Sequence, residues 1–559
     1  MELACRRIGF RGRSLLCQEL LDSSHHQCRR FAAKVDRAVK WDLDTDVDKR
    51  TRTGRLPGNI HLGARDLPLQ LTMSINRMLM KFDPLQLRRD ALSFRELLIN
   101  RKPPAKASDI QRRAKSLERE ILARDDVKLS RSKMSEEELL SLSRAVEARV
   151  LPQLRSEFHH WRPVDYTPYM CAQYVANRFP EDYAVLTRVF SEIRDRLPDF
   201  APTSLLDFGS GVATVSFAAN AVFPDSLKEY YCVDVSPDMN NTAKELIDNG
   251  TNGEEPLLSK AYFRQHFPAS HERKYDLVCS AHSLLELPTS KDRLTMLRSL
   301  WQKTARFLVL VELGNFAGYQ LVMEARDHLL GLDKLGKKLR RREELDTSLE
   351  EGHVFAPCPH DLVCPRQAGA ASGGVTCHFP VAFQPLPFMT LRNTPRITSR
   401  FSYLVLEKTD EQRTTEEQQW PRVVESVLKR HHCGICRVCC ADGHLKEVLV
   451  TRQKHGSSIY QTVRTARWGD RVPLTMVPKT EPELQADREA VVARTLERTG
   501  RTTTDSSAAS FANAIHEEGW ETGEDELDEN LEDGGKDRIS VEDDGWQSRY
   551  KDDDFDGKK

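Results

Sequence analysis

Seven cysteines fall in two short stretches: Cys358, Cys364 and Cys377, then Cys433, Cys436, Cys439 and Cys440. Thiolates that a fold brings together bind soft metals, and spacings of a few residues let several ligands converge without a regular element. The first stretch, Val354 to His378, is rich in Pro and Gly and reads as a long irregular loop with little apolar surface of its own. A loop of that kind needs something to order it, and a bound metal would do so. On spacing alone zinc is favoured over an iron–sulfur cluster. The plain alternative is a set of small buried hydrophobes and free thiols.

A second constellation is Asp207-Phe208-Gly209-Ser210-Gly211, where an apolar run from Leu205 gives way to a glycine turn and then to a helical pattern from Val215 to Val222. A doubly wound sheet binds nucleotides at such a turn. Asp234, at the end of the next apolar run, is placed to accept hydrogen bonds from ribose hydroxyls. The D-x-G-x-G pattern is that of class I methyltransferases, whereas dinucleotide enzymes use G-x-G-x-x-G, which Thr214 interrupts here. S-adenosylmethionine is therefore preferred to NAD, against a glycine turn in an empty sheet. The catalytic groups are harder to find. Amino methylation of bases uses an Asn/Asp-Pro-Pro-aromatic turn after the fourth strand, and this chain has Ser280-Ala281-His282-Ser283 there. Cys279 lies within a strand, outside a setting that would activate a thiolate. His282 is either a general base or a structural hydrogen bonder, and a lone His at a strand end is more often the latter.

The elements that must position these groups follow from hydrophobic period. Residues 67–200 read as helical, for instance Ile110 to Leu122 and Glu136 to Leu154, and Tyr166, Tyr169 and Tyr174 read as packing aromatics. From Ser204 onward short apolar runs alternate with helical sequence: Leu205 to Phe208, Tyr230 to Asp234, Tyr275 to Cys279 and Phe307 to Glu312, with Phe401 to Glu407 as a late strand. That alternation predicts a doubly wound, Rossmann-like α/β domain over 201–410, preceded by the helical region and carrying the Cys-rich loop 354–378. A small β-rich annex is expected over 411–475, completing the metal site, with Val448 to Arg452 and Ile459 to Arg464 as a hairpin about His455, Gly456 and Ser457. Residues 476–559 are expected to be a mostly disordered acidic tail with one helix at Glu481 to Arg498.

Charge is segregated. Residues 501–559 hold 19 Asp/Glu against 7 Lys/Arg, a charge of −12, which leaves +11 on the remainder because the 559-residue chain carries −1. A basic body suits a polyanionic partner. No window approaches the ~18 apolar residues of a membrane span, and the clustered cysteines are unlike a secreted disulfide framework. Residues 1–40 carry Arg6, Arg7, Arg11, Arg13, Arg29 and Arg30 among Leu15, Leu16 and Leu20. They read as a mitochondrial targeting leader, although Glu2, Glu19 and Asp22 depart from that pattern.

Longer motifs carry a resemblance: Leu206-Asp207-Phe208-Gly209-Ser210-Gly211, Tyr231-Cys232-Val233-Asp234, Phe263-Arg264-Gln265, Phe307 to Glu312, Phe355-Ala356-Pro357-Cys358-Pro359-His360, and Leu428-Lys429-Arg430 running on to Cys439-Cys440-Ala441-Asp442-Gly443-His444. Over roughly Arg112 to Val472 the chain resembles the mitochondrial methyltransferase-like protein seventeen family of small ribosomal subunit assembly factors. The resemblance implies a [4Fe-4S] cluster on Cys358, Cys364, Cys377 and Cys439, with Cys440 as nearest rival for the fourth place, and so reverses the preference for zinc. It implies S-adenosylmethionine at Asp207, Gly209, Gly211 and Asp234, held without catalysis and with no catalytic residue. It also implies a mitochondrial matrix protein, monomeric on the small ribosomal subunit, that contacts the subunit's rRNA and proteins in support of mitochondrial translation. Ala213 departs from the family's third glycine, and the acidic extension has no counterpart in it. The basic stretches Lys334 to Arg342 and Arg452 to Arg467 are the expected rRNA grips. The rival reading is an active rRNA methyltransferase; a third is a redox or sensor protein.

Overall fold

The computed structural model describes residues 39–43, 58–60, 63, 65–103, 107–124, 135–157, 162–248, 255–268, 272–332, 352–367, 375–390, 396–409, 416–478 and 482. Residues 1–479 form one compact unit and 480–559 a second. The leader before residue 39, the stretch Lys334 to Arg342, the helix expected at Glu481 to Arg498 and the acidic tail beyond it lie outside the described residues.

Strand β1 (Val39–Leu43) is followed by five helices: α1 (Leu69–Leu79), α2 (Pro84–Asn100), α3 (Ala107–Arg124), α4 (Glu136–Glu157) and α5 (Pro168–Arg196). Helix α5 starts cleanly because Thr167 accepts a hydrogen bond from the Met170 amide and Pro168 needs no donor partner. It is buried nearly end to end.

Next come β2 (Ser204–Phe208), α6 (Thr214–Val222), β3 (Glu229–Val233), α7 (Pro237–Asp248), β4 (Ala261–Arg264), β5 (Tyr275–Ala281), α8 (Ser290–Lys303), β6 (Thr304–Leu313) and α9 (Phe316–Leu329). The sheet is completed by β7 (Gly352–Ala356), β8 (Phe379–Phe383) and β9 (Ile397–Lys408). Its order is β4-β3-β2-β5-β6-β9-β7, parallel except for β9, with β8 also on β9. This is the class I methyltransferase arrangement. Strand β6 shows why the sheet needs a helical layer on each face: Phe307, Val309 and Val311 join the core beneath α5 and α6, while Leu308 and Leu310 join the core beneath α8 and α9.

Strands β7 and β8 sit end to end on the same side of β9, so the Cys-rich stretch is an excursion between two edge strands. The expected loop is thus shorter than Val354 to His378: Val354 to Ala356 already belong to β7, because Val354 and Phe355 bury on opposite faces of the sheet.

Beyond it, β10 (Arg422–Val423), β11 (Leu428–Lys429), β12 (Cys433–Cys439) and β13 (Leu445–Thr451) make a four-stranded antiparallel sheet, backed by α10 (Arg452–Thr465); β14 (Leu474–Pro478) pairs with β1. The hairpin expected about Gly456 is a correction. Thr451 caps α10 by accepting from the Lys454 amide, and Tyr460 and Val463, three apart, bury on the annex core. Gly456 only kinks that helix. The real hairpin joins β12 to β13 through Ala441-Asp442-Gly443-His444, with Gly443 at φ +79°.

Candidate functional site

The glycine turn is built as the sequence predicts. Gly209 takes φ +68°, its amide donates to Val233 O at 2.8 Å, and a Cβ there would stand 2.3 Å from Ser283 Cβ. The Gly211 amide donates to Asp234 Oδ2 at 2.8 Å, and the Ser236 amide to Asp234 Oδ1 at 2.9 Å. Asp234 therefore stands at the end of β3 with both carboxylate oxygens fixed toward the turn. Ala213 is held at φ +63°, a left-handed conformation that costs a residue with a Cβ about 1–2 kcal/mol. Asp207 is fully buried with both carboxylate oxygens lacking hydrogen-bond partners, and burial, then the charge of Asp234, lifts its carboxyl well above the usual range.

Several groups around this turn bond within the fold. Ser283 Oγ donates to Phe208 O at 3.1 Å, tying the post-β5 turn to β2. His282, at φ +56°, directs Nε2 to Asp182 Oδ1 at 3.2 Å and to Arg178 at 3.4 Å, both on α5 and both buried. Its Nδ1 is buried without a hydrogen-bond partner, 4.0 Å from Glu312 Oε2. Glu312 accepts the Leu284 amide at 3.1 Å, and burial pushes its carboxyl up to about 7. Burial holds the Cys279 thiol well above its ordinary range, far from a nucleophilic thiolate. Glu286 is engaged by Arg101 at 2.9 Å and by the Val164 amide at 3.4 Å, which brings the end of α2 and residues 162–164 across the carboxyl ends of the strands. Tyr166 and Tyr174 meet edge to face, and Tyr169 donates to Asp90, so these aromatics pack as expected.

The cysteine region is organised the other way. Cys358, Cys364, Cys377 and Cys439 line one pocket with Pro357, Pro365, Arg366, Phe379, Arg422, Val424 and Leu445; it encloses about 300 Å³, part of it open to solvent. Cys358 and Cys364 come from the loop after β7, Cys377 from the residues before β8, and Cys439 from the last position of β12. Burial, then the neighbouring Cys358, Cys377 and Cys364, holds the Cys439 thiol well above its usual range. Burial, then Cys364 and Cys358, raises the Cys377 thiol in the same way. Among the described residues no group of three or more His, Cys, Asp or Glu side chains could hold a metal ion.

The other annex cysteines face elsewhere. Cys436 and Cys440 sit in the annex core, and burial pushes both thiols up to about 12. Cys433 lies at the opposite end of β12 from Cys439.

The pocket wall contains residues that carried no sequence expectation. Arg422, 2% exposed, donates to Pro357 O at 2.8 Å and Gly469 O at 2.8 Å and pairs with Glu192 of α5 at 2.5 Å. It thus joins loop, annex and long helix at one guanidinium. His360 and Tyr319 reach pocket sulfurs. Pro359-His360 beside Cys358 was the one available signal; a buried arginine leaves none.

The annex also carries a basic face. The Cys433↔Thr451 register sets the β11–β12 turn beside the start of α10, and Arg464 donates to Arg430 O at 2.9 Å. Lys429, Arg430, Arg452, Lys454 and Arg467 are exposed there, and residues 428–433 and 449–468 contain no Asp or Glu.

The chain has relatives among known proteins. The chain is 34% identical over 456 residues, 82% of its length and 93% of the relative's, to the human ribosome assembly protein METTL17, mitochondrial. It is 21% identical to the Saccharomyces cerevisiae ribosome assembly protein RSM22, mitochondrial, over 53% of this chain and 66% of that one. Magnesium protoporphyrin IX methyltransferase from Synechocystis, solved with bound SAM, aligns over 45% of this chain and 87% of its own at 14% identity with a TM-score of 0.26. That likeness is too slight to carry weight, and the fold rests on the strand order. Residues 168–473, more than half of the chain, match the mitochondrial small ribosomal subunit Rsm22 family, and the chain belongs to that family.

Proposed function

We propose that this protein is an assembly factor of the mitochondrial small ribosomal subunit, working as a monomer in the matrix, that binds rRNA through its basic annex face and performs no methyl transfer. Residues 1–40 serve as its targeting leader and 411–475 as the annex that completes a metal site. The observation that carries this reading is that four cysteines from separate segments face one pocket, while Ser283 and Glu286 beside the glycine turn are held by internal hydrogen bonds.

In this reading Cys358, Cys364, Cys377 and Cys439 hold a [4Fe-4S] cluster, with zinc as the alternative. The wall fits either in donor type. In a cluster each thiolate binds its own iron, so the sulfurs stand farther apart than around one ion. The choice of the cluster over zinc rests on the resemblance named above; among the described residues no group of three or more His, Cys, Asp or Glu side chains is arranged to hold a metal ion. When bound, such a group supplies metal–thiolate bonds between loop and annex. Arg422 and Arg366 present positive charge to the same pocket. S-adenosylmethionine is retained weakly at Asp207, Gly209, Gly211 and Asp234, with Asp234 offering its remaining lone pairs to the ribose.

The test is metal and sulfide analysis of anaerobically purified protein with its visible spectrum. Brown protein with matching iron and sulfide supports the cluster; colourless protein with one zinc restores the alternative. Stoichiometric methylation of pre-ribosomal particles, abolished by Asp234→Ala, would overturn the non-catalytic reading.

A further inference from the structure

Two of the pocket sulfurs face a polar side chain. Cys439 Sγ lies 3.3 Å from His360 Nε2, and Cys364 Sγ lies 3.5 Å from the Tyr319 hydroxyl. Both partners are buried, His360 at 3% and Tyr319 at 1% exposure. They come from different segments, yet a single helix holds both. Tyr319 stands in the first turn of α9, which Asn315 starts by accepting the Gly318 amide at 2.9 Å. Arg326, two turns further along α9 and fully buried, donates to His360 O at 3.1 Å and Leu362 O at 2.6 Å. Helix α9 therefore fixes one donor directly on a loop sulfur and the other, through the loop backbone, on the annex sulfur 79 residues away in sequence.

The chemistry of sulfur gives these contacts a direction. A free thiol can donate or accept, so each contact could run either way. A metal-bound sulfur carries no hydrogen, and a phenol O–H or an imidazole Nε2–H facing it can then only donate. Hydrogen bonds to a ligand sulfur draw charge from it, favour the more negative oxidation state of the centre and hold the ligand in place.

We propose that Tyr319 and His360 are positioning residues that donate hydrogen bonds to the sulfurs of Cys364 and Cys439 and thereby set the reduction potential and the lifetime of a cluster in this pocket. This rests on the cluster reading above. It assigns the histidine of the Ala-Pro-Cys-Pro-His motif a role as the link from loop to annex. His360 takes its Nε2–H tautomer to do so.

The experiment compares full-length wild-type, Tyr319→Phe, His360→Gln and His360→Leu proteins, purified anaerobically. Iron and sulfide are counted, the midpoint potential is titrated, and cluster loss to a chelator is timed. Tyr319→Phe removes one hydroxyl and leaves the packing, so folding is not at issue for it. The expected result is a full cluster in Tyr319→Phe, a midpoint potential moved to more negative values, and loss to chelator roughly ten-fold faster. His360→Leu should behave likewise or more severely, and His360→Gln, which keeps an N–H, should fall between it and wild type. Unchanged potential and lifetime in Tyr319→Phe and His360→Leu, with the wild-type iron and sulfide count, would overturn the donor roles and leave the cluster standing. A wild-type protein without iron and sulfide would remove the cluster reading and the donor roles together.

Discussion

The glycine turn and the cysteine pocket are both places where chemistry-bearing residues gather, yet the fold treats them in opposite ways. At the turn, His282 is bonded to Asp182, Ser283 to Phe208 O and Glu286 to Arg101. Those bonds hold Ser283 and Glu286 in the structure, while the His282 Nδ1 and both Asp207 carboxylate oxygens are buried without hydrogen-bond partners. At the pocket, four cysteines point into common space, and the buried charges around them, Arg422 with Glu192, support its walls. A motif alone is weak evidence for chemistry; the bonding of the surrounding side chains has to be read with it.

The sharpest way to break this comparison is to remove a pocket thiol. Cys364→Ser or Cys439→Ser should abolish visible absorption and open the stretch after β7 to protease, while Cys433→Ser and Cys440→Ser, whose thiols lie outside the pocket lining, should keep both properties. Colour lost in Cys440→Ser and kept in Cys439→Ser would reassign the fourth ligand.

A smaller effect comes from the wall. Although burial works the other way, Arg422, then Arg188 and Arg196, holds the Glu192 carboxyl below the usual range. Arg422→Met leaves Glu192 with Arg188 at 3.3 Å, Arg196 at 3.7 Å and the Tyr403 hydroxyl at 2.8 Å, and should cost about 1–3 kcal/mol in denaturant unfolding at pH 7. Glu192 contributes stability above its unfolded value of about 4.3, and that contribution fades as pH falls through and below it.

The crevice offers the reverse sign. Glu312 titrates up at about 7, so between about 4.3 and 7 the folded state binds more protons than the unfolded chain, and stability falls as pH rises through that window. Glu312→Gln keeps an acceptor for the Leu284 amide and should gain roughly 1–3 kcal/mol at pH 8 while gaining little at pH 4. A flat difference across that range would contradict a carboxyl held neutral by burial.

The smallest expected change is in ligand affinity. Calorimetry should find weak S-adenosylmethionine binding that Asp234→Ala reduces by roughly ten-fold, about 1.4 kcal/mol.

What the sequence could show and what it could not divide along physical lines. The β2 turn was legible because a strand, two glycines and a carboxylate are all local. The four cysteines were legible as candidates because their spacing is local, but their choice over Cys436 and Cys440 depends on the face each takes in β12 and the turn after it, and the resemblance supplied it. Val448 to Thr451 is strand as expected, but Ile459 to Arg464 misled because its apolar residues fall at intervals either period can use; Thr451 as cap and the Asp442-Gly443 turn were the better signals. Arg422, Tyr319 and the covering of the crevice by residues 99–101 and 162–164 rest on contacts between distant segments, which no local pattern records.

The central claim is that the pocket, and not the glycine turn, is what the protein needs on the ribosome. Co-sedimentation with the mitochondrial small subunit tests it most directly, comparing Asp207→Ala/Asp234→Ala protein with Cys439→Ser protein in cells lacking the wild type. The account predicts that the first co-sediments and restores mitochondrial translation while the second stays at the top of the gradient. Loss of association in the Asp207→Ala/Asp234→Ala protein, with Cys439→Ser still bound, would contradict it.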